Sequence, residues 1–171
     1  YSPMNTIAGG VVLYPNIPGS LSRIKNFVDS IPLDPQNRFI FYIEMYWRKP
    51  KTVEEWKTLF FNSNHKIDLW KKDPVLQVSN KGVIYAKSNE KKAKNLLIEF
   101  FHTSYAKNPF RTLLSFDSIS KSINWSNTWL EIIGGKLQEE GVLENIKGGY
   151  SLVDSKAGLS KKDSIKVNNI E

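Results

Sequence analysis

Residues 115–153, SFDSISKSINWSNTWLEIIGGKLQEEGVLENIKGGYSLV, decide how this chain folds. Ser115 is a residue type whose hydroxyl accepts an amide at a helix start, and behind it Phe116, Ile119 and Ile123 recur at helical spacing. Asn124-Trp125 reads as a tight turn. Ser126 caps a second helix with Leu130, Ile133 and Leu137 inward, and Gly141 fits the left-handed residue that commonly ends a helix. Residues 142–146 and 150–153 then pair around Lys147-Gly148-Gly149. The order is helix, turn, helix, hairpin. Gly134-Gly135 interrupts the second helix, and three readings stand: another backbone packs closely there, the helix kinks, or it ends early.

Upstream, the spacing of Ala93, Leu96, Leu97, Phe100, Phe101 and Ser104 predicts a helix from about Asn89 to Tyr105, with Asn108-Pro109 as a break and residues 111–114 as a short strand. Before it, residues 75–79 and 83–87 are two strand-forming runs joined through Asn80-Lys81-Gly82, a hairpin signal. Thr52-Val53-Glu54-Glu55 is a capping box, followed by the apolar stripe Val53, Trp56, Leu59 and Phe60. A polar turn at residues 62–64 leads to a short helix with Ile67 and Trp70 inward. Asp34-Pro35 opens a helix expected to reach Lys49. The run Phe39 to Ile43 also has high strand propensity, and the caps favour helix. Leu21, Ile24, Phe27, Val28 and Ile31 predict a helix over 20–31. Residues 1–19 read as an arm or a single edge strand, and the Ser-, Lys- and Asn-rich residues 154–171 as a disordered tail.

Set against each other, the two halves repeat. The caps Thr52 and Ser63 stand 63 positions before Ser115 and Ser126, and the same offset lays Val53 on Phe116, Trp56 on Ile119, Phe60 on Ile123, Ile67 on Leu130 and Trp70 on Ile133. The hairpin glycines Gly82 and Gly149 differ by 67. Through Ser115–Ile123, Ser126–Gly141 and Leu143–Val153 the chain resembles the winged helix-turn-helix superfamily, well over residues 89–153 and over 34–88 only through the repeat. The resemblance implies a mainly α, α+β fold: a tandem of winged helices over 34–88 and 89–153, or at minimum one C-terminal winged helix packed on an unrelated segment. Tandem winged helices serve plasmid replication initiators, telomere-capping subunits and membrane-trafficking scaffolds, so the fold does not choose a function.

Composition narrows the classes. No Cys and two His leave no disulfide framework and no cysteine-based zinc site, so no metal and no cofactor are expected. A reducing intracellular compartment, nuclear or nucleoid, is expected. The chain begins with Tyr and reads as a fragment of a longer protein. No apolar run is long enough for a membrane span. Glu54-Glu55 and Glu139-Glu140 are adjacent and share no helix face, and Gly9-Gly10 and Gly148-Gly149 lack phosphate-loop spacing. No enzyme and no small-molecule substrate are expected.

The net charge of +7 lies mostly in the first half: through Lys92, fourteen Lys/Arg stand against eight Asp/Glu, whereas residues 93–153 carry six of each. A basic half suits an anionic partner, although lysine-rich faces also serve as plain solvated surface. The resemblance places the third helix of each module, and its hairpin tip, at DNA. In the first module these positions give Asn64, His65, Lys66, Lys71, Lys72 and Lys81, with Lys51 and Lys57 beside them; in the second, Asn127 and Lys147. Lys71 and Lys72 also suit a helix C-terminus through its dipole. The second module's third helix carries Glu131 and Glu139, poorly placed against phosphate, so Trp125, Trp129, Glu131 and Lys136 are read as a protein-binding face with one tryptophan outward. The expected function is therefore non-enzymatic: a DNA-binding module of a larger protein, contacting double-stranded DNA through its first half and a protein partner through its second. The alternative is a protein-interaction scaffold, and a third reading is a fragment of an enzyme whose catalytic part lies elsewhere.

Overall fold

The computed structural model describes residues 28–60, 63–108 and 113–153. The expected arm, all but the end of the helix over 20–31, and the tail lie outside the described residues. The fold is mixed α+β, with eleven elements among the described residues after that helix end, whose termini follow local chemistry.

The aromatic run at residues 39–43 is helical. The Asp34 carboxylate accepts the Asn37 amide at 2.8 Å, Pro35 fills the first turn, and α1 spans Pro35–Met45. The cap satisfies an amide that a strand would not present, which decides the ambiguity. The helix stops before the expected Lys49, because the chain turns at Tyr46, whose carbonyl accepts the Lys49 amide at 3.0 Å. The capping box forms in full: the Thr52 amide donates to Glu55 at 2.7 Å, the Glu55 amide donates back at 3.3 Å, and α2 runs Val53–Leu59. Ser63 precedes α3 (Asn64–Trp70) but makes no capping bond, since its backbone is not in the extended conformation that aims the hydroxyl at the helix.

Strands β1 (Leu76–Val78) and β2 (Ile84–Ala86) pair antiparallel, with Gly82 at φ +73° in their turn. Without a linker, Ala86 then begins α4 (Lys87–Lys107), longer at both ends than the expected Asn89–Tyr105. The helices and hairpin that follow lie where expected, whereas the strand expected over 111–114, of which 111–112 lie outside the described residues, is found at Leu114–Ser115: the elements are β3 (Leu114–Ser115), α5 (Phe116–Ile123), α6 (Asn127–Glu139), β4 (Leu143–Ile146) and β5 (Gly149–Leu152), in a sheet ordered β3-β5-β4. Ser115 and Ser126 accept the amides of Ser118 and Trp129 at 3.3 and 3.2 Å, as caps should.

Similar backbone hydrogen bonds occur in the two halves. The Val53 amide donates to the Gly82 carbonyl at 2.9 Å, and the Phe116 amide donates to Gly148 at 3.1 Å. Thr52 bridges Val83, and Ser115 pairs with Gly149. In both halves the residue before the second helix is stitched to the strand that returns from the hairpin. Gly82 therefore corresponds to Gly148 rather than Gly149, a one-residue correction of the expected register.

Two cores form. Phe39, Trp56, Ile67, Trp70 and Ile84 belong to the first; Leu97, Ile119, Trp129, Leu130, Ile133 and Tyr150 to the second. Within the first, Phe39 meets Trp56, Phe60 and Trp70 at ring-centroid distances of 5.7, 5.6 and 5.7 Å. Tyr85 crosses the division. Because successive strand residues point to opposite faces, Ile84 and Ala86 face the first core while Tyr85 enters the second, 5.0 Å from the Trp129 ring.

The glycine pair in α6 resolves into two different positions. A Cβ at Gly134 would clash with the hydroxyl end of the Tyr150 ring, so an aromatic side chain, not a backbone, is the close neighbour; a Cβ at Gly135 would meet open space. Gly134→Ala is expected to destabilise the fold by about 1–3 kcal/mol through overpacking. Gly135→Ala is expected to stabilise it by about 0.5–1 kcal/mol through helix propensity. Urea unfolding of the two variants checks the opposite signs.

Candidate binding surfaces

The basic face expected around α3 is only partly free. Asn64, His65, Lys66 and Lys72 are exposed. Lys57 lies 3.1 Å from Asp68 and 3.3 Å from Glu54, and Lys71 lies 2.6 Å from Asp68. Hydrogen bonds from Lys71 and then Lys57 hold the Asp68 carboxyl below its ordinary range. Two of the expected DNA-contacting cations thus share the Asp68 carboxylate, and Glu54 supplies a second partner to Lys57. Asp68 precedes Lys71 by three positions, a spacing that places side chains together on a helix and that makes this pair legible in the sequence. Lys51 sits 5.2 Å above the Tyr46 ring. Among the described residues, Lys66 and Lys72 make no ion pair. Leu69, on the same helix, is 68% exposed.

On α6 the expected partner-binding face is occupied from within the chain. Lys81, at the β1–β2 tip and expected at DNA, is paired with Glu131. Lys136 reaches Glu90 at 2.5 Å and Gln77 at 3.5 Å, and lies 5.4 Å above the Tyr85 ring. Glu90 also holds Lys94 at 2.9 Å, and Lys94 holds Glu140 at 2.6 Å. Trp125 and Trp129 are 4% and 0% exposed, so the expectation of an outward tryptophan is corrected. Their rings lie 6.1 Å apart, and Trp129 is covered by Tyr85. The partner of this face is the first half's own hairpin. A groove of about 550 Å³ remains between the two, with Gln77, Lys81, Tyr85, Ile132, Gly135 and Glu139 among its walls. Asn127 and Lys147 are exposed at the α6 start and the β4–β5 tip.

Asn89 fastens the halves at a second point. Its buried side-chain amide donates to the carbonyls of Ile43 and Glu44, at 3.4 and 3.2 Å, where α1 ends. Sequence reading misses it, because a polar residue near a helix start looks like ordinary surface.

Nothing brings catalytic groups together among the described residues. His65 and His102 are both exposed, and no group of three or more described His, Cys, Asp and Glu is placed to hold a metal ion. No described helix is long and apolar enough to cross a membrane. Comparison with protein-family models, curated proteins and solved structures finds no match to this chain.

The Glu90 pairs, which tie α4 to α6 within the second half, respond to pH. Burial pushes the Glu90 carboxyl up, but hydrogen bonds and charge from Lys136 and Lys94 outweigh it and leave the group below its ordinary value of 4.5. Its stabilising contribution is therefore complete above that value and lost as pH falls through the lowered native one. Glu90→Gln should destabilise the fold at pH 7, and in urea unfolding the gap to the parent should narrow progressively as pH falls below the ordinary carboxyl value.

Proposed function

We propose that the chain is a non-enzymatic tandem winged-helix unit that binds duplex DNA through α3, the exposed third helix of its first half. The order β3-α5-α6-β4-β5, with β3 on the outer side of β5, supports the winged-helix reading of the second half. The Thr52–Val83 bridge and the Val53–Gly82 hydrogen bond, matching those of Ser115 and Phe116, support it for the first.

One observation carries the choice of helix: the hairpin β1–β2 covers the outward face of α6, while the corresponding face of α3 stays open. A third helix enters the major groove with its N-terminal residues at the base edges. In α3 those are Asn64, a residue type that reads adenine, and His65, with Lys66 and Lys72 for phosphates. Lys81 is turned toward Glu131 and stays out of the contact. The whole protein would belong to a nuclear or nucleoid DNA transaction.

A second reading, a protein-interaction scaffold, is favoured by Leu69, an apolar side chain standing out from the same helix. The two readings separate by mutation. Lys66→Gln with Lys72→Gln should lower DNA affinity and reduce the slope of log K against log salt by roughly 0.9 for each phosphate that is no longer neutralised. Asp68→Asn should raise affinity, because it releases Lys71 and leaves Lys57 with Glu54 alone. If both variants bind as the parent does, DNA recognition by α3 fails. Loss of a protein partner on Leu69→Ala, with DNA binding absent, would establish the scaffold instead.

A further inference from the structure

We infer that Arg48 and Lys92, held over the ring of Trp47, form a second phosphate-binding site for duplex DNA at the seam between the two halves. This rests on the choice of duplex DNA as ligand above, but not on the choice of α3.

The sequence concentrates charge in two separated places, Arg48, Lys49 and Lys51 after α1, and Lys87, Lys91 and Lys92 at the start of α4. The fold brings them together, because Asn89 of α4 binds the last carbonyls of α1. Trp47 is half-buried against the second core, and its ring carries the Arg48 guanidinium at 4.7 Å and the Lys92 ammonium at 4.8 Å. Arg48 also donates one N–H to the Ile123 carbonyl at 2.7 Å, at the end of α5, whose last turn carries exposed Lys121. Three elements from both halves thus converge.

These cations differ from the lysines that are already paired. Lys57, Lys71, Lys81, Lys94 and Lys136 each have a carboxylate partner. Among the described residues Arg48, Lys49, Lys92 and Lys121 have none, and exposed Glu44 forms no ion pair with them. Holding two long cationic side chains on one ring costs side-chain entropy and like-charge repulsion, which a bound anion would offset. The ring attracts both charges and fixes where they point. The guanidinium spends one of its five N–H groups on Ile123 and keeps the rest in the planar fork that matches phosphate oxygens. An extended polyanion, with charges repeated along it, can meet cations drawn from three elements. Trp47 serves as their positioner and not as a base-stacking surface, because cations already lie on it.

The test is duplex-DNA affinity across a salt series with the full chain. Lys92→Gln should reduce the slope of log K against log salt by roughly 0.9, and Arg48→Gln with Lys92→Gln by about twice that. Lys92→Arg, which keeps the charge and the ring contact, should bind as the parent does. Should removal of the Ile123 bond unfold the double variant, Lys92→Gln decides alone. An unchanged slope in folded Lys92→Gln overturns the site. A reduced slope in Lys92→Gln but not in the Lys66 and Lys72 variant supports the seam site and removes α3 from the contact; the reverse pattern overturns the seam site alone. No duplex binding at low salt overturns both. Binding of poly-glutamate as tightly as duplex overturns the assignment to nucleic acid.

Discussion

The contact on which the structure depends is the Tyr85 ring against Trp129, 5.0 Å between centroids. It follows from strand alternation in a hairpin too small to be anything but shared: Leu76, Ile84 and Ala86 complete the first core, and Tyr85 the second. Because Ala86 is also the residue before α4, no linker separates the halves. A residue between two packed cores cannot move without opening one of them. The charged network of Lys81–Glu131 and Lys136–Glu90–Lys94–Glu140 then lies around an apolar contact that already sets the geometry. Exposed ion pairs alone would not hold it.

This constraint makes two similar halves unequal. Each places a third helix behind a stitched hairpin, yet only one helix keeps its outward face. Covering α6 uses Glu131 and Lys136 internally: Glu131 pairs with Lys81 at the tip of the first hairpin, and Lys136 reaches Gln77 of that hairpin and Glu90 of α4. The same packing draws the start of α4 and the end of α1 together and gathers unpaired cations at Trp47. One arrangement both removes a binding surface and assembles another.

Elements are legible in the sequence wherever local chemistry specifies them. Asp34-Pro35, the Thr52–Glu55 box, Ser115, Ser126 and Gly141 mark boundaries because each satisfies a backbone group within a few residues. Apolar spacing finds inward residues in both halves, and the offset of 63 matches Trp56 with Ile119 and Ile67 with Leu130, all fully buried. What stays hidden depends on contacts remote in sequence. Periodicity shows that α6 has a polar face, but not that a hairpin some fifty positions earlier covers it. Trp125 and Trp129 look available for the same reason. The basic patch on α3 looks stronger in the sequence than it is, because a count of its lysines ignores Asp68 on the same helix.

The central claim is that the halves form one cooperative body through the shared hairpin, and the tryptophans can report it separately. Trp56 and Trp70 lie in the first core, Trp125 and Trp129 in the second. Urea unfolding followed by 19F NMR of fluorotryptophan-labelled protein would give each indole its own transition. A shared core contact predicts coincident midpoints and one cooperative disappearance of the native Trp56, Trp70, Trp125 and Trp129 signals. A first-half pair that unfolds at lower urea, while Trp125 and Trp129 keep their native resonances, would contradict it.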